Sequence, residues 1–538
     1  MNFLTSKPSA PPVFLREATG LVKQISALDS LAMALSGMGL IFAFDVILFS
    51  PGYYIGANPL ITQFMGFLLS LPIGLVYILF AISMPRSGGD YVWLSRVLHP
   101  AVGFVANFGI TLTILSYVGS STVEGIQWGL GEMFYDLGLV YGNQQYLNIA
   151  SSLQGQDMTF LITAIAIVIV GAIAVSGPRI TKTVTRYLIL FCVFSGIVFV
   201  IVVLYAGQST FVSSFNALSG GNYDAVVAAG QETGAFNGVP PVFWTPSILA
   251  GVVGILSYLD WFFPAYFGGE VKQVRRTQTI AQFGALIIFC IFTTVITVVS
   301  YFGEGPAFAN AIAALWASYG QYPYITAPIA SGMSVFWTQN ALLIGLFNLS
   351  WLLNCLGLSL VVLFTLSRNV FAWSFDRILP SWFADVNEKL HTPIKATVAM
   401  LVGGLVFAYL SIYQWGIVAS IYLYSVAGMF IAFMVVAICA IVFPYRRKDL
   451  FEASDAIVKR RIAGIPLISL GGVLSLVSGS VVLYALILPA IGPGFVSILL
   501  QGILPTYILG AIVYAIAWLV RRGQGIDLNK IQKELPPE

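Results

Sequence analysis

Long apolar stretches, each separated from the next by a short polar segment, run the length of the chain. Measured against the roughly 20 apolar residues a helix needs to cross a bilayer, they divide into twelve runs. The first six lie near 27–50, 62–84, 101–123, 158–177, 187–207 and 247–269, and the others near 279–303, 339–366, 395–413, 416–443, 464–490 and 496–520. Bare backbone polar groups are not tolerated in hydrocarbon, so each run is read as a helix. Composition agrees, because 58% hydrophobic and 9% charged residues in a 538-residue chain do not make a water-soluble surface. The predicted class is an all-α polytopic membrane protein with about 12 transmembrane helices, its main partner the lipid bilayer.

Charge then orients the runs. All 25 Lys and Arg fall in the two tails and in the segments joining even-numbered runs to the next odd one. The side they mark is read as cytosolic, with both termini on it and the plasma membrane as the location. The opposite connections carry acids only, among them Glu132, Asp136, Asp157, Asp224, Glu232 and Glu304. Two of these connections, 208–245 and 304–338, are long enough to hold short helices over a vestibule. Residues 1–24 read as a cytosolic tail and 446–463 as a cytosolic basic loop. No nucleic-acid partner is implied by a net charge of +3. Cys192, Cys290, Cys355 and Cys439 each sit alone in an apolar run, so neither a disulfide nor a metal site is expected. Neither His99 nor His391 lies in a run, and no paired acids or Cys–His set occurs in one. An integral membrane enzyme is therefore disfavoured, no cofactor is expected, and no repeated filter motif suggests a channel.

Two runs break their apolar pattern in the same way. The first contains MALSGMGLIF, 33–42, with Ser36, Gly37, Met38 and Gly39 at mid-membrane; the sixth contains SYLDWFFP, 257–264, with Asp260 and then Pro264. Glycine and proline both weaken a helix. Close helix packing explains the glycines equally well, and a simple kink explains the proline. The spacing favours another reading: the runs are five apart, and a repeat of five helices inserts its second copy upside down. Interrupted helices at matching positions of inverted halves point to a midplane substrate site. A break at Ser36–Gly39 frees N–H groups that attract a carboxylate. Asp260 attracts a cation, and Tyr258, Trp261 and Phe262 supply an apolar wall. An amino acid carries both charges. The competing reading of Asp260 is a cap that accepts from freed N–H groups near Phe263. Asp45 and Glu124 are each read either as a hydrated acid or in a gating role, and both are left outside the site.

Three cytosolic motifs carry a family resemblance. PRSGGDYVWLSRVLHP at 85–100, GGEVKQVRR at 268–276 and SRNVFAWSFDRILPSWFADVNEKLHTP at 367–393 resemble segments of the amino acid–polyamine–organocation (APC) permeases. The resemblance covers roughly 25–445. It implies an inverted five-plus-five repeat with discontinuous helices 1 and 6, followed by two peripheral helices. The implied parts are 25–207 (helices 1–5), 208–445 (helices 6–10), 464–520 (helices 11–12) and a tail at 521–538. The implied function is secondary active transport of amino acids or related amines by alternating access, ion-coupled or by exchange. A substrate-sensing receptor on the same fold is the alternative. At the helix-six break the acid stands two positions from its usual place, and 187–208 lacks the lysine that many sodium-independent members carry. The coupling ion is thus H+ or Na+, with Ser350, Asn354 and Ser359 as possible sodium ligands. In the loops, Asp90 is expected to cap a short helix and Arg86 and Arg96 to sit at headgroups. Arg368, Asp376 and Glu270 are candidates for an inner ionic gate.

Overall fold

A computed structural model describes residues 20–41, 43–232, 244–317, 328–414, 425–487 and 503–533. Most of the 1–24 tail, Phe42, the ends of the runs expected at 416–443, 464–490 and 496–520, and parts of the connections 208–245 and 304–338 lie outside the described residues. The chain is an all-α polytopic membrane protein. In chain order, α1 (Ala27–Gly37) and α2 (Ala43–Leu48) are followed by α3 (Pro59–Ser83), α4 (Asp90–Val97) and α5 (Pro100–Glu124). A π-helical segment, Gly125–Gly131, joins α5 to α6 (Glu132–Tyr141). Then come α7 (Gln156–Val175), α8 (Pro178–Leu218), α9 (Trp244–Ser257), α10 (Phe263–Tyr266) and α11 (Val274–Glu304). The last five are α12 (Ala341–Phe375), α13 (Ile394–Tyr413), α14 (Ser425–Arg446), α15 (Leu467–Ile487) and α16 (Leu504–Gly523). Among the described residues, 10 helical stretches are long and apolar enough to cross a membrane. The two remaining expected runs, 27–50 and 247–269, hold only short helices.

Local chemistry sets several of these starts. Asn58 accepts from the Leu60 N–H at 2.9 Å just before Pro59 opens α3, and the His99 ring accepts from Ala101 N–H at 3.1 Å before Pro100 opens α5. Side-chain acceptors and an N-terminal proline satisfy the orphan donors of a first turn. Ser26 and Asp29 form a capping box at α1. The 41-residue α8 turns at Gly207, whose φ of 69° only glycine adopts freely. The run expected at 187–207 therefore ends there, and the continuing helix lies in the acidic connection. That connection also holds the helix Tyr223–Glu232, and 304–338 holds Pro306–Ala317 and Ala330–Met333. A small antiparallel hairpin, Arg461–Ile462 with Ile465–Pro466, closes the basic loop.

The basic end of the bundle is tied by buried charge. Arg96 does not sit at headgroups: it is 1% exposed, and its guanidinium grips Asp376 at 2.6 and 2.9 Å. A cation is held inside protein when a carboxylate meets both arms of its fork, and Tyr91 adds a hydroxyl to Asp376 at 2.6 Å. The expected gate trio also divides. Arg368 pairs with Glu270 at 2.8 and 3.1 Å, both fully buried, while Asp376 belongs to Arg96. Beside them, Gln24 and Ile25 donate to the Glu270 carbonyl, and Lys272 N–H donates to Ile25, so the segment before α1 runs strand-like along the segment after α10.

Candidate functional site

The two helix interruptions meet. In the first, α1 ends at Gly37 and Met38–Ile41 forms a turn, with Gly39 at φ 68°. Its freed donors are partly used: Gly39 N–H reaches the Ser36 carbonyl at 3.3 Å, and Ile41 N–H reaches Asn354 Oδ1 on α12 at 3.3 Å. That bond commits Asn354 Oδ1 to the break, and its buried Nδ2 has no acceptor among the described residues. Ser36 lies against Gly357 of the same helix α12, where a Cβ would come within 2.6 Å of its Oγ. Met38 is buried.

In the second interruption, α9 stops at Ser257 and α10 starts at Phe263. Asp260, between them, has φ 69°, a conformation that costs most L-residues about 1–2 kcal/mol and that Asp tolerates better than most. Its side chain is 3% exposed, and Oδ1 has no hydrogen-bond donor among the described residues. The carboxylate does not cap α10. The Phe263 N–H is taken by the main-chain carbonyl of Asp260 at 3.2 Å, and α10 opens without a side-chain cap. A Cβ on Gly37 would stand 2.7 Å from the Phe263 ring and 3.4 Å from the Asp260 carbonyl, so glycine lets the breaks touch.

The aromatic residues of the second break diverge. Tyr258 turns away: its hydroxyl accepts from Gln63 at 2.7 Å, and its ring packs on Phe67 and Phe289. Trp261 stands edge-on to Tyr77 of α3, and Phe262 lies between Tyr77 and Phe433 of α14. Phe263, which the sequence reading passed over, is the ring that faces Gly37. Tyr117 of α5 lies within electrostatic reach of Asp260 and of Glu124. Asp45 is buried, with Oδ1 accepting from Ala330 N–H at 2.9 Å, so it ties α2 to the 304–338 connection. The three possible sodium ligands each hydrogen-bond to a partner of their own. Ser350 Oγ accepts from Ser195 on α8 at 2.9 Å, Asn354 serves Ile41, and Ser359 bonds Thr122 on α5 at 2.9 Å. A small cavity beside the first break is lined by Ile41, Ser195, Phe199, Ala330, Ser331 and Ser350.

A second acid sits below the breaks. Asp90 opens α4, but its carboxylate looks inward, accepting from Tyr77 and Tyr266 at 2.9 Å each and from Asn107. Burial raises its pKa to about 6, against the lowering by these hydrogen bonds. Asn107 in turn accepts from Trp373 Nε1 at 2.8 Å. Tyr77 and Tyr266 thus connect the aromatic wall of the second break to the α4 loop.

The sequence profile of the amino acid permeases matches residues 25–515. This chain belongs to the amino acid permease family. Among curated proteins, none matches it. As a member of that family the permease is a membrane protein that moves amino acids or amines, and the family is one of transporters rather than enzymes. Its substrate is accordingly a small molecule.

Proposed function

We propose that this permease is a secondary active transporter of the plasma membrane, carrying an amino acid or related amine by alternating access, with the substrate held between the two helix interruptions. The observation that carries this reading is the contact of Gly37 with the Asp260 segment. It brings to one pair of breaks a buried carboxylate oxygen without a donor, and the buried Asn354 Nδ2 without an acceptor, among the described residues. The two charges of an amino acid are separated by only a few ångströms, which suits breaks in contact. The ammonium goes to Asp260; the carboxylate goes to Asn354 Nδ2 and competes with Asn354 Oδ1 for the Ile41 N–H. Ser36, Met38 and Gly39 shape the first break, and Trp261 and Phe262 stiffen the second through Tyr77 and Phe433. Tyr258 supports it from behind.

The repeat organisation belongs to the same proposal: 25–207 and 208–445 as inverted halves, with 464–520 peripheral and both termini cytoplasmic. Release toward the basic side requires the Glu270–Ile25 contacts to part. Coupling to H+ or Na+, or strict exchange, powers the cycle. The experiment is counterflow in vesicles reconstituted with the purified chain, across a panel of amino acids and polyamines. Accelerated exchange of at least one compound is expected. Binding without any flux identifies a sensor instead, and neither binding nor flux defeats the proposal.

A further inference from the structure

Outside the breaks, the basic loop between α14 and α15 leaves one stretch uncovered. The loop is fastened at three points: Phe451 packs on Phe443 of α14, Ser454 Oγ meets Ser83 Oγ of α3 at 2.7 Å, and Asp455 pairs with Arg275 at the start of α11 at 3.3 Å. Beyond Lys459, whose Nζ donates to the Glu452 carbonyl at 2.9 Å, residues 460–465 are all exposed. They form a hairpin all the same. Ile462 pairs with Ile465 across the turn Ala463–Gly464, both turn residues take positive φ, and the Arg461 guanidinium donates to the Gly464 carbonyl at 3.1 Å. Two positive-φ residues give a turn whose twist matches that of the paired strands.

Residues directly opposite each other in a hairpin share one face. Arg461 and Pro466 form one pair, and Pro466 is buried, so that face turns toward the protein at its base. The other face presents Ile462 and Ile465, 48% and 49% exposed. Its depth follows from α15, whose 21 residues span about 30 Å, the thickness of the hydrocarbon layer. Leu467 opens that helix directly after Pro466, so the hairpin stands at the level of the headgroups. Ser469 donates to the Ile441 carbonyl at 3.1 Å, and one turn beyond Ile441 the exposed Tyr445 marks the same level, where tyrosine is favoured. Further along α15, Val473, Leu474 and Val477 are exposed, as a lipid-facing side must be. Arg460 and Arg461 make no ion pair among the described residues, and Asp455 of the same loop is already engaged by Arg275.

We infer that the 461–466 hairpin is a docking surface for anionic phospholipid: Ile462 and Ile465 enter the headgroup layer of the leaflet on the basic side, and Arg460 and Arg461 bind the acidic headgroups. Apolar side chains at this depth reach the acyl boundary, and each arginine beside them adds attraction to an anionic leaflet. Two features select lipid as the occupant. The arginines complement a negative surface, and the apolar face runs directly into a helix that crosses the bilayer. The surface is separate from the helix interruptions and does not rest on the proposed transport cycle.

The test is thermal unfolding of the purified full chain in detergent with phosphatidylglycerol, phosphatidylcholine or soluble glycerol phosphate added. Phosphatidylglycerol should raise Tm saturably above phosphatidylcholine, and glycerol phosphate at the same concentration should not. Arg460→Gln combined with Arg461→Gln should increase the phosphatidylglycerol concentration giving half the rise by roughly thirtyfold, at about fivefold per arginine. Lys530→Gln, at another exposed cation of the basic side, should leave it unchanged. The difference between the two lipids is what is read, so a lower starting Tm from the lost Arg461–Gly464 bond does not enter. If the double variant does not fold, Arg460→Gln alone must give the fivefold change. In vesicles, a bimane probe on Ile462→Cys should be quenched by spin-labelled lipid beyond any signal from the parent's own cysteines. The inference is overturned if the two lipids act alike, if glycerol phosphate reproduces the rise, if the charge-removing variant keeps the parent's response, or if the probe is not quenched; an unquenched probe shielded from water would identify a protein partner instead.

Discussion

Asp90 is a buried acid that meets no cation among the described residues. Three side-chain donors, from Tyr77, Tyr266 and Asn107, hold its carboxylate, yet burial still wins and raises the pKa from 3.8 to about 6. Folded protein therefore keeps this proton more tightly than unfolded chain does. Its contribution to stability is full below pH 3.8 and is lost as pH rises to about 6, a decline of roughly 3 kcal/mol at 1.36 kcal/mol per unit. Melting the parent and Asp90→Asn across that window should show the parent declining relative to the variant, while parallel curves would contradict the assignment. What was legible at this scale was the presence of such residues, not their partners. Asp90 was visible as a loop acid, but its donors come from three separate helices. Asn354 was seen only as an oxygen donor, because the N–H it serves lies 313 positions away. Arg96 looked like a headgroup anchor for the same reason: its carboxylate is 280 positions downstream. Sequence periodicity shows which residues are buried, but it does not show which long-range partner makes burial of a charge affordable.

Elements behave differently, because a helix interruption is written locally. Gly37 and Gly39 in the first break, and Pro264 with Asp260 in the second, weaken helix where they stand, and the structure interrupts helix at both places. The facing of the wall residues was not legible. Across 258–262 the backbone leaves helical geometry, so the angular phase that would align Tyr258, Asp260 and Phe262 is lost; Tyr258 swings to Gln63 and Phe263 takes the inner position. The contact between the breaks makes a direct prediction. Gly37→Ala places a methyl group 2.7 Å from the Phe263 ring, an overlap that should cost about 1–3 kcal/mol and depress counterflow by pushing the breaks apart. Adding Phe263→Leu should restore part of both. A Gly37→Ala protein with unaltered Tm and flux would show that the interruptions are not in contact.

For the whole molecule, sidedness is the strongest signal, since every basic residue falls on one side of a twelve-run reading and one missed helix would scatter them to both. The apolar runs were legible for the same bulk reason: hydrocarbon tolerates few other patterns. Their lengths do not all follow: Pro100–Tyr141 outruns 101–123, Pro178–Leu218 continues past the fifth run with a kink at Gly207, and 27–50 and 247–269 hold only short helices. The orientation proposal is checked with single cysteines at the exposed Ala225 and Ala456. An impermeant thiol reagent applied to intact cells should label the first and spare the second, and the reverse pattern would invert the topology. The central claim is that substrate charge is read by Asp260 between two touching helix breaks. Its most direct test compares counterflow by the parent and by Asp260→Asn in vesicles from pH 5 to pH 8. Losing a charge-assisted hydrogen bond should weaken apparent substrate affinity by roughly ten- to hundredfold and flatten the pH profile. An Asn variant that exchanges the same substrate with the parent's affinity at every pH would contradict the account.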